Sequence, residues 1–342
     1  MKTNSRAALI ALGALGALGA ATTMTTGFPA IAAGTAIILR AATSLPVSSV
    51  YTRGFLAFVH DVNERGKKKL RIEIIGGAGE TANPAGLNAV RGGRLDMAFG
   101  PVGAHARLVP EAKAISASEI KAKELRANGG MALIDQIYRV RAKARFLGML
   151  NSGARLHVYL KHAPRIAGKL PNFAGARVAG DDIYREFLSS LGAKPVSAGF
   201  PKALDALRDG RADGVIWPRV GLQPTFRAKR LKYRIDPGFS QIVTGVVMNL
   251  ERWSRLSRAH RALLDKTVIE HETASYTAMR VETGKDDEAL DMAGLSVISI
   301  KGSAGEIYTA RTTENAWASL KKHHPGYAAQ LEHAFYRERS PR

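Results

Sequence analysis

A chain of 342 residues, 46% of them apolar and 7% aromatic, is longer than one compact core usually supports and too hydrophobic for disorder, so two domains are expected. It has no cysteine, which excludes disulfides, thiol nucleophiles and cysteine-based zinc or iron–sulfur sites and suits an oxidising envelope compartment. The formal charge of +21 is scattered through every segment. Its short clusters at 67–71 and 227–234 lack interleaved aromatics, so no nucleic acid is expected as a partner and the field is read as solubility plus steering of anionic ligands.

The amino terminus carries Lys2 and Arg6, an apolar run from Ala7 to Ala21 and the small-residue site Ala30-Ile31-Ala32-Ala33. This pattern predicts a signal peptide over 1–33 and a periplasmic mature protein; an uncleaved anchor would call for a longer, less Gly/Ala-rich run. A buried strand follows at 36–42, and the turn Thr43-Ser44-Leu45-Pro46 is expected to project Thr43 and Ser44 into a cleft. A helix over about 50–65 carries Phe55, Phe58, Val59 and Val62 on one face. Leu70–Ile75 alternates as a second strand, followed by Gly76-Gly77-Ala78-Gly79, a tight turn first and a ligand-contacting loop second. The next helix enters at Asn83-Pro84, where proline suits the first turn. Met97–Phe99 forms the third strand, with Gly100, Pro101, Val102 and Gly103 at its carboxyl end. Residues 115–145 read as helix broken at Asn128-Gly129-Gly130, and strands at 145–150 and 156–160 cross into the second domain.

That domain opens with Gly153-Ala154-Arg155 and continues through Phe173-Ala174-Gly175-Ala176-Arg177, Leu191-Gly192-Ala193-Lys194-Pro195-Val196 and Ala206-Leu207 to Asp213-Gly214, a βαβα unit. Arg177 is expected at the carboxyl end of its strand, facing the crevice where open α/β sheets bind ligands. Ala89-Val90-Arg91-Gly92-Gly93-Arg94-Leu95-Asp96 in the first domain is echoed by Ala206-Leu207-Arg208-Asp209-Gly210-Arg211-Ala212-Asp213 in the second, which predicts two similar α/β domains facing each other. Strands at 232–235 and 242–249 bring the chain back, and the proline-free run from Trp253 to Ala293 predicts one long, bent helix along both domains. A strand at 295–300 and helices from about 304 and 326 complete the chain. The domains are placed at 34–152 with 244–280, and at 153–243 with 281–342.

At Gly153-Ala154-Arg155, Gly175-Ala176-Arg177, Gly192-Ala193-Lys194-Pro195-Val196, Ala206-Leu207, Gly210 and Asp213-Gly214 the sequence resembles the DctP-type solute-binding proteins of TRAP transporters. The segments 39–43 and 91–98, and Val247-Met248-Asn249 with Trp253, are similar to other parts of that family. The resemblance implies a two-domain α/β periplasmic binding protein fold, type II-like, with the ligand cleft between the domains. It implies a monomeric receptor that closes on an organic anion and delivers it to membrane permease subunits. Arg177 takes the place of the family's carboxylate-gripping arginine, a role suited to the two parallel hydrogen bonds of a guanidinium, and Arg155 that of an assisting arginine. Thr43, Ser44 and the Gly100–Gly103 turn, with Gly100 and Val102 as its candidate contacts, would close from the first domain, and Trp217 would give an apolar wall. Asp181 and Asn249 complete the candidate set, Asp181 with Asp182 also complementing a helix dipole.

The sequence departs from the family pattern at three places. The Gly175–Arg177 turn is short, and an alternative register puts Ala179 where the arginine belongs, which removes the clamp. Ile216 stands where some relatives carry an acidic residue for a bridging cation, so no metal is expected, and no cofactor. Ala114–Ser118 replaces a Leu-Pro-Phe segment. An enzyme is not expected, because the nine histidines are dispersed and no nucleophile–base pattern is present. An exported sensor module and a degenerate, ligand-free protein are the other functions compatible with this architecture.

Overall fold

The computed structural model describes residues 36–77, 83–168, 170–200, 202–222 and 230–335. The expected signal peptide over 1–33, Gly79 of the glycine loop and Arg227 of the second basic cluster lie outside the described residues. The described residues form one compact unit built on two main sheets, which define two lobes.

The first lobe contains β1 (Ile37–Thr43), α1 (Arg53–Arg65), β2 (Leu70–Gly76), α2 (Asn83–Arg91), β3 (Met97–Pro101), α3 (Ala112–Ala117), α4 (Ala122–Ala127), α5 (Gly130–Ala142) and β4 (Ala144–Leu150). The second contains β5 (Arg155–Leu160), a small hairpin of β6 (Arg165–Ala167) and β7 (Leu170–Asn172), then β8 (Arg177–Gly180), α6 (Arg185–Ser190), β9 (Lys194–Ser197), α7 (Ala203–Arg208), β10 (Gly214–Pro218), β11 (Tyr233–Asp236) and β12 (Ser240–Gln241). The return strand β13 (Thr244–Asn249) leads to α8 (Leu250–Ser254), α9 (Arg258–Met292), β14 (Ser296–Ser299), α10 (Gly302–His323) and α11 (Ala328–Phe335).

The first sheet runs β2-β1-β3-β13-β4, with β1 parallel to β2 and β3, and β13 antiparallel to β3 and β4. β13 lies inside the sheet between β3 and β4 and is buried throughout, as an interior strand covered on both faces must be. Phe55, Phe58, Val59 and Val62 of α1 are all buried, and Phe55 stacks on Phe99 of β3 at 4.8 Å between ring centres. The helical spacing of those four residues therefore becomes the face that α1 lays on the sheet.

In the second sheet the order is β14-β11-β5-β10-β8-β9, with β12 added on β5. β8, β9 and β10 are parallel and β5 runs antiparallel to β10, so the carboxyl ends of the parallel trio share one edge. The long helix α9 spans 35 residues from a Ser257 cap whose side chain accepts from the His260 amide. Its Leu264, Val268 and Met279 pack in the first lobe and its Leu290 in the second. This helix thus ties the lobes together, but the single helix expected from Trp253 to Ala293 is interrupted at 255–257, where Ser257 turns extended to cap α9.

Two further expectations need correction. The helix read over 115–145 is also broken at Ser118, which turns to an extended conformation while its hydroxyl accepts from the Ile120 amide; serine competes with helix this way. The expected bounds place residues 281–342 in the second lobe throughout. Instead α10 starts there with Tyr308 and ends with Trp317 and Leu320 in the core of the first lobe, where Leu331 and Phe335 of α11 join them.

Candidate ligand-binding site

A cleft with about 480 Å³ of empty space, counting what is open to solvent, lies between residues of the two lobes. The first lobe contributes Pro101, Gly103 and Ser116, and the crossing segment contributes Gln241, Ile242 and Val243. The second contributes Leu156 and Ile216 from its strands, Gly180, Asp181, Ile183 and Tyr184 from the turn after β8, and Ala198, Phe200 and Ala203 from beyond β9. These positions follow from topology: the carboxyl ends of β8, β9 and β10 open toward the turn that ends β3.

The walls are mostly apolar, and four polar side chains interrupt them, those of Asp181, Ser116, Gln241 and Tyr184, the last bonded to Ser240. Asp181 precedes a short 3-10 turn (Asp182–Tyr184), and its Oδ1 accepts from the Ile183 amide at 3.2 Å. Burial pushes its carboxyl group above the usual carboxylate range. Ser116 is only 3% exposed and its hydroxyl has no hydrogen-bond partner among the described residues. Gln241 donates from Nε2 to the Ser118 carbonyl at 2.8 Å, which fixes the amide at the rim. Among the described lining residues there is no arginine, lysine or histidine.

Of the residues expected at the site, Asp181 is the one that lines the cavity. Arg177 begins β8 rather than ending it, so it sits three residues, about 10 Å of extended chain, behind the crevice edge at Gly180. Its guanidinium is half-exposed and makes two bonds to Asp213, Nε to Oδ2 at 2.9 Å and Nη2 to Oδ1 at 2.8 Å. The internal repeat explains this placement. Asp213 accepts from the Arg177 amide and donates its own amide to the Arg177 carbonyl, and Asp96 exchanges the same two backbone bonds with Arg40 of β1. Arg40 also reaches Asp96 through Nε. Arg177 is therefore the second lobe's copy of a strand-pairing arginine. Ala179, which the alternative register gives the arginine's place, is fully buried in the apolar cluster that holds Trp217 and Ala203.

The other expected residues are set beside the cavity instead of in it. Arg155 begins β5, donating from Nε to the Gly238 carbonyl at 3.1 Å and pairing through Nη2 with Glu119 of the first lobe at 2.7 Å. Trp217 faces away: residues alternate along β10, so its neighbour Ile216 meets the cavity while the indole packs against Phe200, 4.4 Å between ring centres. Thr43 is buried and bonded to the backbone of Leu45, and Ser44 donates to the Phe99 carbonyl. Gly100 pairs with Gly245 inside the sheet and Val102 points into the core, whereas their neighbours Pro101 and Gly103 line the cavity. Asn249 caps α8 by accepting from the Arg252 amide and donates to the Val90 carbonyl, at the opposite end of β13. Strand parity could have exchanged Ile216 for Trp217. The turn after β9 that holds Phe200 carried no comparable signal.

No family model matches the chain. The structure is similar to a TRAP periplasmic solute binding protein from Desulfovibrio salexigens with bound orotic acid, at a TM-score of 0.76 and 15% identity over 87% of this chain and 97% of that one. It is similar to one from Desulfovibrio desulfuricans with bound sn-glycerol-3-phosphate, at 0.75 and 14% over 89% and 99%. It is similar also to a Bordetella pertussis extracytoplasmic solute receptor binding pyroglutamic acid, at 0.74 and 15% over 88% and 100%. The chain has the TRAP solute-binding fold. In that fold the cavity described above is the crevice between the lobes, and none of the described helices is long and apolar enough to cross a membrane.

Proposed function

We propose that the chain is an extracytoplasmic solute-binding receptor, exported by its amino-terminal signal, that closes its lobes over one small organic solute and delivers it to TRAP-type membrane permease subunits. The supporting observation is the inter-lobe cavity at the carboxyl ends of β8, β9 and β10, in a fold whose solved neighbours carry orotate, pyroglutamate and glycerol phosphate. An organic acid is accordingly the ligand class to screen first. The Arg177–Asp213 pair supports a site in which a group other than that arginine meets the solute. Receptor function as a monomer requires only that α9 and the two crossing segments bend.

Thermal-shift and calorimetric screening of organic acids against the mature chain tests this. A ligand at 100 times its Kd adds about 2.7 kcal/mol to folded-state stability, enough for a clear rise in Tm. A Cβ at Gly103 would lie 3.0 Å from Ile183 Cδ1 across the cleft, so Gly103→Val narrows the cavity and should abolish that rise. A hit that binds Gly103→Val as tightly as wild type sits elsewhere and excludes this cavity as the receptor site.

A further inference from the structure

We infer that the cavity is built for a solute bearing a protonated amine, with Asp181 as its counter-ion and Ser116 as a second contact. This rests on the receptor function proposed above and names the class of solute that function would serve. The argument begins with what the cavity holds. Asp181 projects a carboxylate into a space walled by Leu156, Ile216, Ile242 and Phe200, in a protein otherwise rich in cations. Its Oδ1 accepts from the Ile183 amide, and the backbone of Asp182 also bonds to the carboxyl group, so what it receives from the described residues comes from its own turn. Its Oδ2 faces Gly199, where even an added Cβ would remain 3.5 Å away.

The charges around Asp181 do not neutralise it within the cavity. Asp182 beside it is turned outward to Arg185 and Ser197, at 2.6 and 2.9 Å. Lys113, on α3 of the facing lobe, attracts it electrostatically but does not line the cavity. A carboxylate among apolar walls is unfavourable unless a donor reaches it, and a charged donor satisfies it best. Ser116 gives the independent indication of a ligand, since its hydroxyl is buried on the opposite wall with no partner among the described residues. An ammonium group held by Asp181 would face the wall that carries this hydroxyl, which lies beside Gly103 and Ile183 and would be reached as the lobes adjust around the solute. The rest of the solute, acid or not, would meet the apolar walls.

The test uses the mature chain and a matched library of C3 to C6 aliphatic acids, each unsubstituted, 2-hydroxy and 2-amino, together with the corresponding amines lacking the acid. The amine-bearing member of a series should bind at least about 10-fold more tightly than its unsubstituted and hydroxy counterparts, the range of a charged hydrogen bond. Asp181→Asn, which keeps the cap because asparagine accepts from the same amide, should erase that preference while circular dichroism and Tm without ligand stay as in wild type. If the unsubstituted or hydroxy acid binds as well as the amine, or if Asp181→Asn keeps the preference, the inference is wrong while the receptor function stands. If no member raises Tm in a folded wild-type chain, the receptor function fails and takes the inference with it.

Discussion

Arg177 shows how far a single side chain can be read. The residue type and its neighbours suit a carboxylate clamp, whereas its position at the start of the strand, which no residue type reveals, favours a partner within the fold. With Asp213 as its partner it is expected to be dispensable for binding: Arg177→Ala should leave the calorimetric affinity for any solute found in the screen unchanged. The hydrogen bond from Arg177 holds the Asp213 carboxyl group down at about 2, below its ordinary 3.8. The pair therefore stabilises the fold above about pH 3.8, an effect lost as pH falls toward 2, and that acid dependence should vanish in the variant when Asp213 is followed by NMR titration. His105 makes a second pH prediction. It is buried on the turn that carries Gly103, with Nδ1 2.8 Å from the Tyr138 hydroxyl, and burial pushes its pKa from 6.5 down to about 4. The unfolded chain binds the proton first, so stability from a neutral His105 is complete above pH 6.5 and falls, by up to about 3 kcal/mol, as pH drops to about 4. Urea denaturation at several pH values should show this slope in wild type and a flatter one in His105→Gln.

At the scale of elements, most of the fold was legible. The apolar spacing of α1, the uninterrupted run of α9 and the strands at 70–76 and 244–249 carry strong periodic or compositional signals, and each becomes an element. Parity was harder to read. Pro101 and Gly103 rather than Gly100 and Val102, and Ile216 rather than Trp217, reach the cavity, because one residue of register exchanges the faces of a strand or tight turn. Ser116 was invisible for a related reason: α3 is short, and its orientation comes from the break at Ser118. Contacts between elements are also where stability concentrates. Glu272 of α9 is buried, accepts two bonds from Arg126 of α4 at 2.6 and 2.9 Å, and takes a third from the Met149 amide of β4. Arg126→Ala leaves that carboxylate buried and unpaired, and should cost about 3 kcal/mol by chemical denaturation without altering which solute binds.

For the molecule as a whole, the two-lobed arrangement followed from the echo between residues 89–96 and 206–213, whose aspartates hold equivalent strands in both sheets. The return of α10 and α11 to the first lobe was not legible, because Trp317, Leu320, Leu331 and Phe335 look the same in sequence whichever core receives them. Function was readable as an architecture, and the chemistry of the cavity was not. Finally, the lobes already touch: Gly103 meets Ile183 at the cavity, and Arg155 reaches Glu119 beside it. A molecule held in the crevice is thus enclosed by two surfaces that must part before it can come or go. Capture and release would share a single gate, and the lifetime of the closed form, more than the strength of any one bond, would set how long the cargo stays aboard.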